Sequence, residues 1–238
     1  MEDEYNKGIL LYMNTPGGAV TASDDMYLKL MEYKEVTGRK IYCYYGDQSC
    51  SGGYYISMAA DEIYANRNCW TGSIGVIIST MNMQGLYEKL GIKEVNITSG
   101  DNKAMGSAGE EMTTEQYDIL QSMVDEAYEQ FVSIIAEGRG LSIERVKELA
   151  DGRIYTAKQA LELDLIDGIC TWEDYCGMVQ ANEGGDVMIF ERSENPYSFE
   201  SLFASLQSLK PKTEAEVWTE YLEKEEVGGL KYYADFVR

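Results

Sequence analysis

Two short apolar runs, Gly8 to Asn14 and Lys40 to Tyr45, flank a stretch whose apolar residues recur at helical spacing. This succession restricts the chain more than any other feature in it. The first run is continuous in Ile, Leu, Tyr and Met rather than alternating, which predicts a buried parallel strand. Between the runs, Met26, Leu28, Leu30, Met31 and Tyr33 give a rough apolar face to a helix expected to start at a Thr21 or Ser23 cap and reach about Val36. Strand, helix and strand in this order make a β-α-β unit, so the predicted class is α/β with helices covering a sheet.

The rest of the chain continues the pattern. Strands are expected at Glu62 to Ala65, within Thr71 to Ile77 and at Glu94 to Ile97, with a short helix at Leu86 to Leu90. Ser99 to Gly109 reads as a loop of small residues holding a single lysine, Lys103. From Thr113 to about Gly138, Tyr117, Leu120, Val124, Ala127, Tyr128, Phe131 and Ile135 mark a long amphipathic helix whose stripe is a packing face. Ser142 and Thr156 cap two further helices, and Trp172 to about Val179 makes a last one. Asn182-Glu183-Gly184-Gly185 then reads as a linker, which divides a domain of residues 1–180 from an extension of residues 181–238, partly helical or extended. Short helices are expected there around Phe199 to Leu209 and Thr213 to Lys224. Gly228 to Arg238 is aromatic enough to pack in a groove, over a neighbour's surface or near a cleft.

Two glycine-rich junctions stand out in this frame. Asn14-Thr15-Pro16-Gly17-Gly18 ends the first strand, with proline setting the turn and the glycines letting backbone approach a ligand closely. Asp47-Gln48-Ser49-Cys50-Ser51-Gly52-Gly53-Tyr54-Tyr55 joins the second strand to a buried helix. A serine at a sharp strand-to-helix turn presents its hydroxyl at a cleft, and the unobstructed N–H of Gly52 can face an oxyanion. Ser-Gly-Gly is equally a common turn, and serine a common helix cap.

The absence of histidine decides how such a serine could work. It excludes, within this chain, a Ser-His-Asp triad, a Cys-His pair and histidine-ligated metal. If Ser51 or Cys50 is a nucleophile, lysine is the remaining base. Holding a lysine amine neutral near pH 7 takes about 4 kcal/mol of differential solvation, which burial can supply. A lysine in an otherwise uncharged loop is therefore required. Net charge −21 argues against nucleic-acid partners. The five cysteines, Cys43, Cys50, Cys69, Cys170 and Cys176, form neither a disulfide framework nor a zinc pattern, and no metal or cofactor is expected. No run approaches a membrane span, and Met1-Glu2-Asp3-Glu4 does not open a signal peptide.

Across Gly8 to Trp172 the chain resembles the signal peptide peptidase A family, serine proteases with a Clp protease/crotonase-like fold. Asn14 to Gly18, Ser51 to Tyr55 with Ala59-Ala60-Asp61, Thr71 to Val76, Ser99-Gly100 with Lys103, and Asp151 to Tyr155 carry the resemblance. It implies a superhelical core of repeated β-β-α units, here short at its N-terminal side, because the chain starts almost at the first strand. It makes Ser51 the nucleophile and Lys103 the general base. It assigns the oxyanion hole to Gly52 with Gly18, or Gly17, and makes Ser73 a serine that supports the lysine. It further implies that remnant signal peptides and other unfolded hydrophobic peptides are the substrates. Ser51 and Lys103 would meet between neighbours in a ring-like homo-oligomer, expected to have eight copies. The location implied is the extracytoplasmic face of a bacterial cell membrane, reached through a segment absent from this chain, which is itself expected to be soluble. The alternatives are a non-catalytic scaffold of the same fold, a phage-type capsid maturation protease and, fitting poorly with so acidic a chain, a crotonase-type acyl-CoA enzyme.

Overall fold

The computed structural model describes residues 5–191 and the backbone of residues 231–233. The chain divides into two compact units, one of Met1–Val187 with Gly228–Arg238 and one of Met188–Val227. All helices and strands among the described residues belong to the first.

Its axis is β3 (Lys40–Cys50), eleven residues long and buried without a break from Ile41 to Gly46. β3 pairs in parallel with β1 (Gly8–Thr15) on one edge. Its other edge serves two neighbours in succession, β4 (Glu62–Ala65) along Tyr42 to Tyr45 and β5 (Trp70–Gly72) along Gln48 to Cys50. The sheet continues from β4 to β7 (Gly168–Ile169) in parallel, and from β5 to β6 (Ile154–Thr156) antiparallel. One strand feeding two separate neighbours makes the sheet curl at the point where β3 ends.

Alternation along β3 decides what covers each face. Cys43 and Tyr45 enter the main core with Ile63, Phe131, Ile135 and Val146. This brings α2 (Gly52–Ser57), α4 (Thr114–Arg139) and α5 (Ile143–Leu149) to one side of the sheet. Tyr42 and Tyr44 face the other way and meet Tyr175 and Val179 of α7 (Trp172–Asn182), with Tyr64 stacked on Tyr175 at 4.8 Å between ring centroids. The caps expected at Ser142 and Thr156 are present, Ser142 on α5 and Thr156 in a capping box with Gln159 on α6 (Ala157–Glu162), and Thr113, the expected start of the long helix, forms a further capping box with Gln116 on α4.

Several expectations are corrected. β1 is an edge strand in which only Met13 is buried, because β3 is its one partner in the described sheet. α1 (Val20–Thr37) starts at Ala19 without a side-chain cap. Ser23 Oγ instead donates back to Ala19 O at 3.0 Å, and the helix buries Ser23, Tyr27 and Tyr33 while Met26 and Leu28 lie exposed. The strand expected through Ile77 stops at Gly72, and residues 94–97 pair with no described strand. α3 (Gln84–Leu90) buries no residue. The helices expected around 199–209 and 213–224 lie outside the described residues. Among the described residues four strands escaped the sequence reading: β6 and β7 of the main sheet, and β2 (Gly17–Ala19), which pairs antiparallel with β8 (Lys231–Tyr233) in a separate two-stranded sheet.

Candidate active site

The turn from β3 into α2 is made by Ser51 alone. Its backbone sits at φ 53°, ψ −113°, and its N–H donates to Gly72 O at 2.8 Å, which ties the turn to the end of β5. A non-glycine residue held there costs about 1–3 kcal/mol and persists only where its surroundings over-determine it. Ser51 is 0% exposed, and its Oγ has no hydrogen-bond partner among the described residues. A serine acting merely as a helix cap would accept from the first turn; this one makes no side-chain cap bond. Strain and an unsatisfied buried hydroxyl therefore coincide at one residue.

Glycines bring the first turn of α2 against the end of β1. A Cβ on Gly53 would stand 2.7 Å from Thr15 Cγ2 and 3.0 Å from Ser49 Oγ. The 15–18 turn is thus clamped beside the start of the helix, where the first backbone N–H groups have no intrahelical acceptor. Within that turn, Gly17 N–H donates to Thr15 Oγ1 at 3.2 Å. Gly17 is therefore already engaged. Thr15 and Ser49, the latter with a second buried and unpartnered hydroxyl, were not singled out by sequence reasoning. Their only signal is their place within the two glycine-rich junctions.

Ser73 follows in the same left-handed region, at φ 49°, with its N–H donating to Arg153 O at 2.7 Å. Gly72 cannot carry a side chain, since a Cβ would meet Tyr155 Cδ2 at 2.5 Å. The Asp151 to Tyr155 block therefore backs the Gly72-Ser73 turn. Hydrogen bonds from Arg153, its ion-pair partner, hold the Asp151 carboxyl down at about 2.

Cys50, the other nucleophile left open by the missing histidine, is disfavoured by its surroundings. Burial pushes its thiol up to about 12, and the thiol points at Trp70 O, 3.6 Å away. A thiol so held carries almost no thiolate near pH 7.

Lys103 lies elsewhere in character. It is exposed, in a run of turns held to the start of α4 by Asn102 Nδ2 donating to Glu115 Oε1 and Gln116 Nε2 donating to Asp101 O, both at 3.2 Å. Among the described residues no hydrogen bond joins it to Ser51 or Ser73. A single chain thus brings together Ser51, Gly52, Ser73 and the Gly17-Gly18 turn, and leaves the lysine outside. Among the described residues no cluster of three or more His, Cys, Asp or Glu could hold a metal ion, and no helix is long and apolar enough to cross a membrane.

Comparison with known proteins gives this arrangement its context. The profile of peptidase family S49 matches residues 34–184. A protein of Synechocystis sp. named for a protease is 43% identical over 174 residues, covering 73% of this chain and 62% of its own length. A protein of Enterococcus faecium named for signal peptide peptidase SppA is 42% identical over 173 residues, 73% of this chain and 50% of its own. The chloroplastic serine protease SPPA of Arabidopsis thaliana is 30% identical over 169 residues, 71% of this chain and 25% of its own. The chain therefore spans only part of the curated relatives it matches. Among solved structures, a mutant ClpP1 from Listeria monocytogenes aligns with a TM-score of 0.45 at 17% identity, covering 70% of this chain and 75% of that one.

Proposed function

The chain belongs to peptidase family S49, and from that premise we propose that it is a serine endopeptidase in which Ser51 is the nucleophile and Lys103 of a second copy is the base. The observation that carries this reading is Ser51 itself, held at φ 53° at the mouth of a helix with a hydroxyl that no described residue engages.

In the proposed reaction the neutral Lys103 amine takes the Ser51 proton as Oγ attacks a peptide carbonyl. Backbone N–H groups of Gly52 and Gly18 stabilise the oxyanion, Gly17 being engaged by Thr15. The resulting ammonium protonates the leaving amine, and water, deprotonated by the same lysine, releases the acyl group. Ser73 orients the lysine. For this the amine must be desolvated, and since Lys103 is exposed in the single chain, what dries it comes from outside that chain. The surroundings of Lys103 support a second copy in that role. Val95 is 71% and Ile97 96% exposed, with Ile77, Met81, Leu86, Leu90 and Ile92 exposed along the same segment. So much apolar surface in one segment marks an association site.

This reading includes a closed ring, of eight copies by family resemblance. It would act on remnant signal peptides and other unfolded hydrophobic segments at the extracytoplasmic face of a bacterial membrane. Co-expression of Ser51→Ala and Lys103→Ala chains tests it. Each is expected to be inactive alone, but in mixed rings about a quarter of the junctions pair an intact serine with an intact lysine. About 25% of wild-type peptide cleavage should return, by the statistics of a head-to-tail ring. No recovery in demonstrably mixed particles would refute the shared site, and a wild-type chain that neither cleaves peptides nor reacts with a serine-directed phosphonate would refute the protease.

A further inference from the structure

We infer that Tyr55 and Asp24 are positioning residues: the hydrogen bond between them sets the spacing of the two backbone turns that supply the oxyanion hole. This rests on the protease reading above and adds the side chains that hold its geometry.

The two proposed donors lie at the starts of two different helices. Gly52 opens α2, and Gly18 stands just ahead of α1. The whole of α1 and β3 separates them along the chain, so the covalent path does not fix one against the other. Hydrogen bonds close that gap. Tyr55 N–H donates to Ser51 O at 2.9 Å, and Tyr55 O–H donates to Asp24 Oδ1 at 2.6 Å. Asp24 lies near the start of α1, where its neighbour Ser23 donates through Oγ to Ala19 O at 3.0 Å. An unbroken path therefore runs from the nucleophile's own carbonyl to the residue that follows Gly18. Gln130 of α4 braces it from a third side, its Nε2 donating to Tyr55 Oη at 2.7 Å and to Asp24 Oδ1 at 3.2 Å.

Packing alone does not call for this hydroxyl. Tyr55 is fully buried, with its ring edge-on to Tyr27 at 5.6 Å and tilted against Phe131 at 5.1 Å between centroids. A phenylalanine would fill the same space. What the oxygen adds is direction: a phenol donating to a carboxylate makes a short, charge-assisted bond that weakens steeply with misalignment, whereas ring contacts tolerate sliding. Oxyanion donors need that precision, because they act only at about 2.7–3.1 Å from the developing charge. A misplacement of about 1 Å can cost on the order of 10²-fold in rate. Tyr55 and Asp24 thus act through Gly52 and Gly18, by holding the start of α2 against the start of α1.

Tyr55→Phe, Asp24→Ala, the two combined and Asp24→Asn test this. Each is compared with wild type in peptide cleavage, in inhibition by a peptide boronate that becomes tetrahedral on the serine, and in urea unfolding. We expect kcat to fall about 10- to 100-fold in Tyr55→Phe and in Asp24→Ala, with KM within about twofold of wild type. The boronate Ki should rise by the factor by which kcat falls, since analogue and transition state draw on the same donors. The combined variant should be no slower than the slower single one, because both break one bond. Asp24→Asn keeps an oxygen that can accept from Tyr55, and should recover kcat to within about threefold of wild type. A wild-type kcat in Tyr55→Phe, a loss confined to KM, or a lowered urea midpoint with kcat and Ki unchanged would overturn the positioning role and leave the protease reading standing. Single-variant losses that multiply in the combined variant would do the same. A wild-type chain that neither cleaves peptides nor reacts with a serine-directed phosphonate would bring down the protease reading, and this inference with it.

Discussion

Gly53→Ala offers the sharpest physical test of how the site is assembled. The new Cβ would stand 2.7 Å from Thr15 Cγ2, 3.0 Å from Ser49 Oγ and 3.6 Å from Thr15 O. Carbon atoms rest about 3.5–4.0 Å apart, so the first contact alone demands close to about 1 Å of movement. Neither neighbour is a flexible chain end: Thr15 closes β1, and Ser49 is fully buried in β3. Overpacking of this kind costs about 1–3 kcal/mol, against which alanine's helix preference returns less than about 1 kcal/mol so near a helix start. A net destabilisation of about 1–2 kcal/mol in urea unfolding is expected. The displaced part is the 15–18 turn, so cleavage should fall by more than stability implies, on the order of 10²-fold, as for a misplaced oxyanion donor. Thr15→Ser supplies the control. It removes Cγ2 while keeping the hydroxyl that accepts from Gly17 N–H. In a double-mutant cycle the pair should therefore couple favourably by about 1 kcal/mol and recover much of the lost rate. A Gly53→Ala protein with the wild-type urea midpoint, or a double variant no better than Gly53→Ala alone, would refute the clamp between α2 and β1.

Two further outcomes follow from the same energetics. Ser51→Ala removes a buried unpartnered hydroxyl and should stabilise the isolated chain by about 1 kcal/mol; Ser51→Gly should add roughly another 1 kcal/mol by releasing the φ 53° backbone, both without activity. Calorimetric melting of the three proteins checks this, and a destabilised Ser51→Gly would contradict the strain. Alkaline stability is the second. Burial holds the Cys50 and Cys69 thiols protonated up to about 12, so the folded chain retains protons that the unfolded chain releases from about 8.5–9. Their contribution is complete below that range and is lost as pH rises towards 12. At pH 10 the loss should be about 1.5–2 kcal/mol per thiol. Urea midpoints in reductant at about pH 7.5 and pH 10 measure it, and equal midpoints would show that these thiols are not held as described.

Much of the fold was legible because its determinants are local. The 3.6-residue stripe over Ala127, Phe131 and Ile135 and the Ser142 and Thr156 caps each act within a few residues, and each appears where expected. The Ser51-Gly52-Gly53 junction was legible for the same reason: a strand composition meeting a helix composition with glycines between leaves few backbone paths. The missing histidine narrowed the chemistry further. What the sequence alone could not reveal depended on partners far along the chain. β1 became an edge strand and residues 94–97 pair with no described strand because pairing is settled by which strands lie alongside, not by strand propensity. Local composition likewise could not show that a positive φ would fall on Ser51 rather than on a glycine, that Thr15 would lock Gly17, or that Lys231–Tyr233 would lie on β2. Most of those features come from contacts between residues tens or hundreds of positions apart, whose energies exist only once the sheet has curled and brought its ends together.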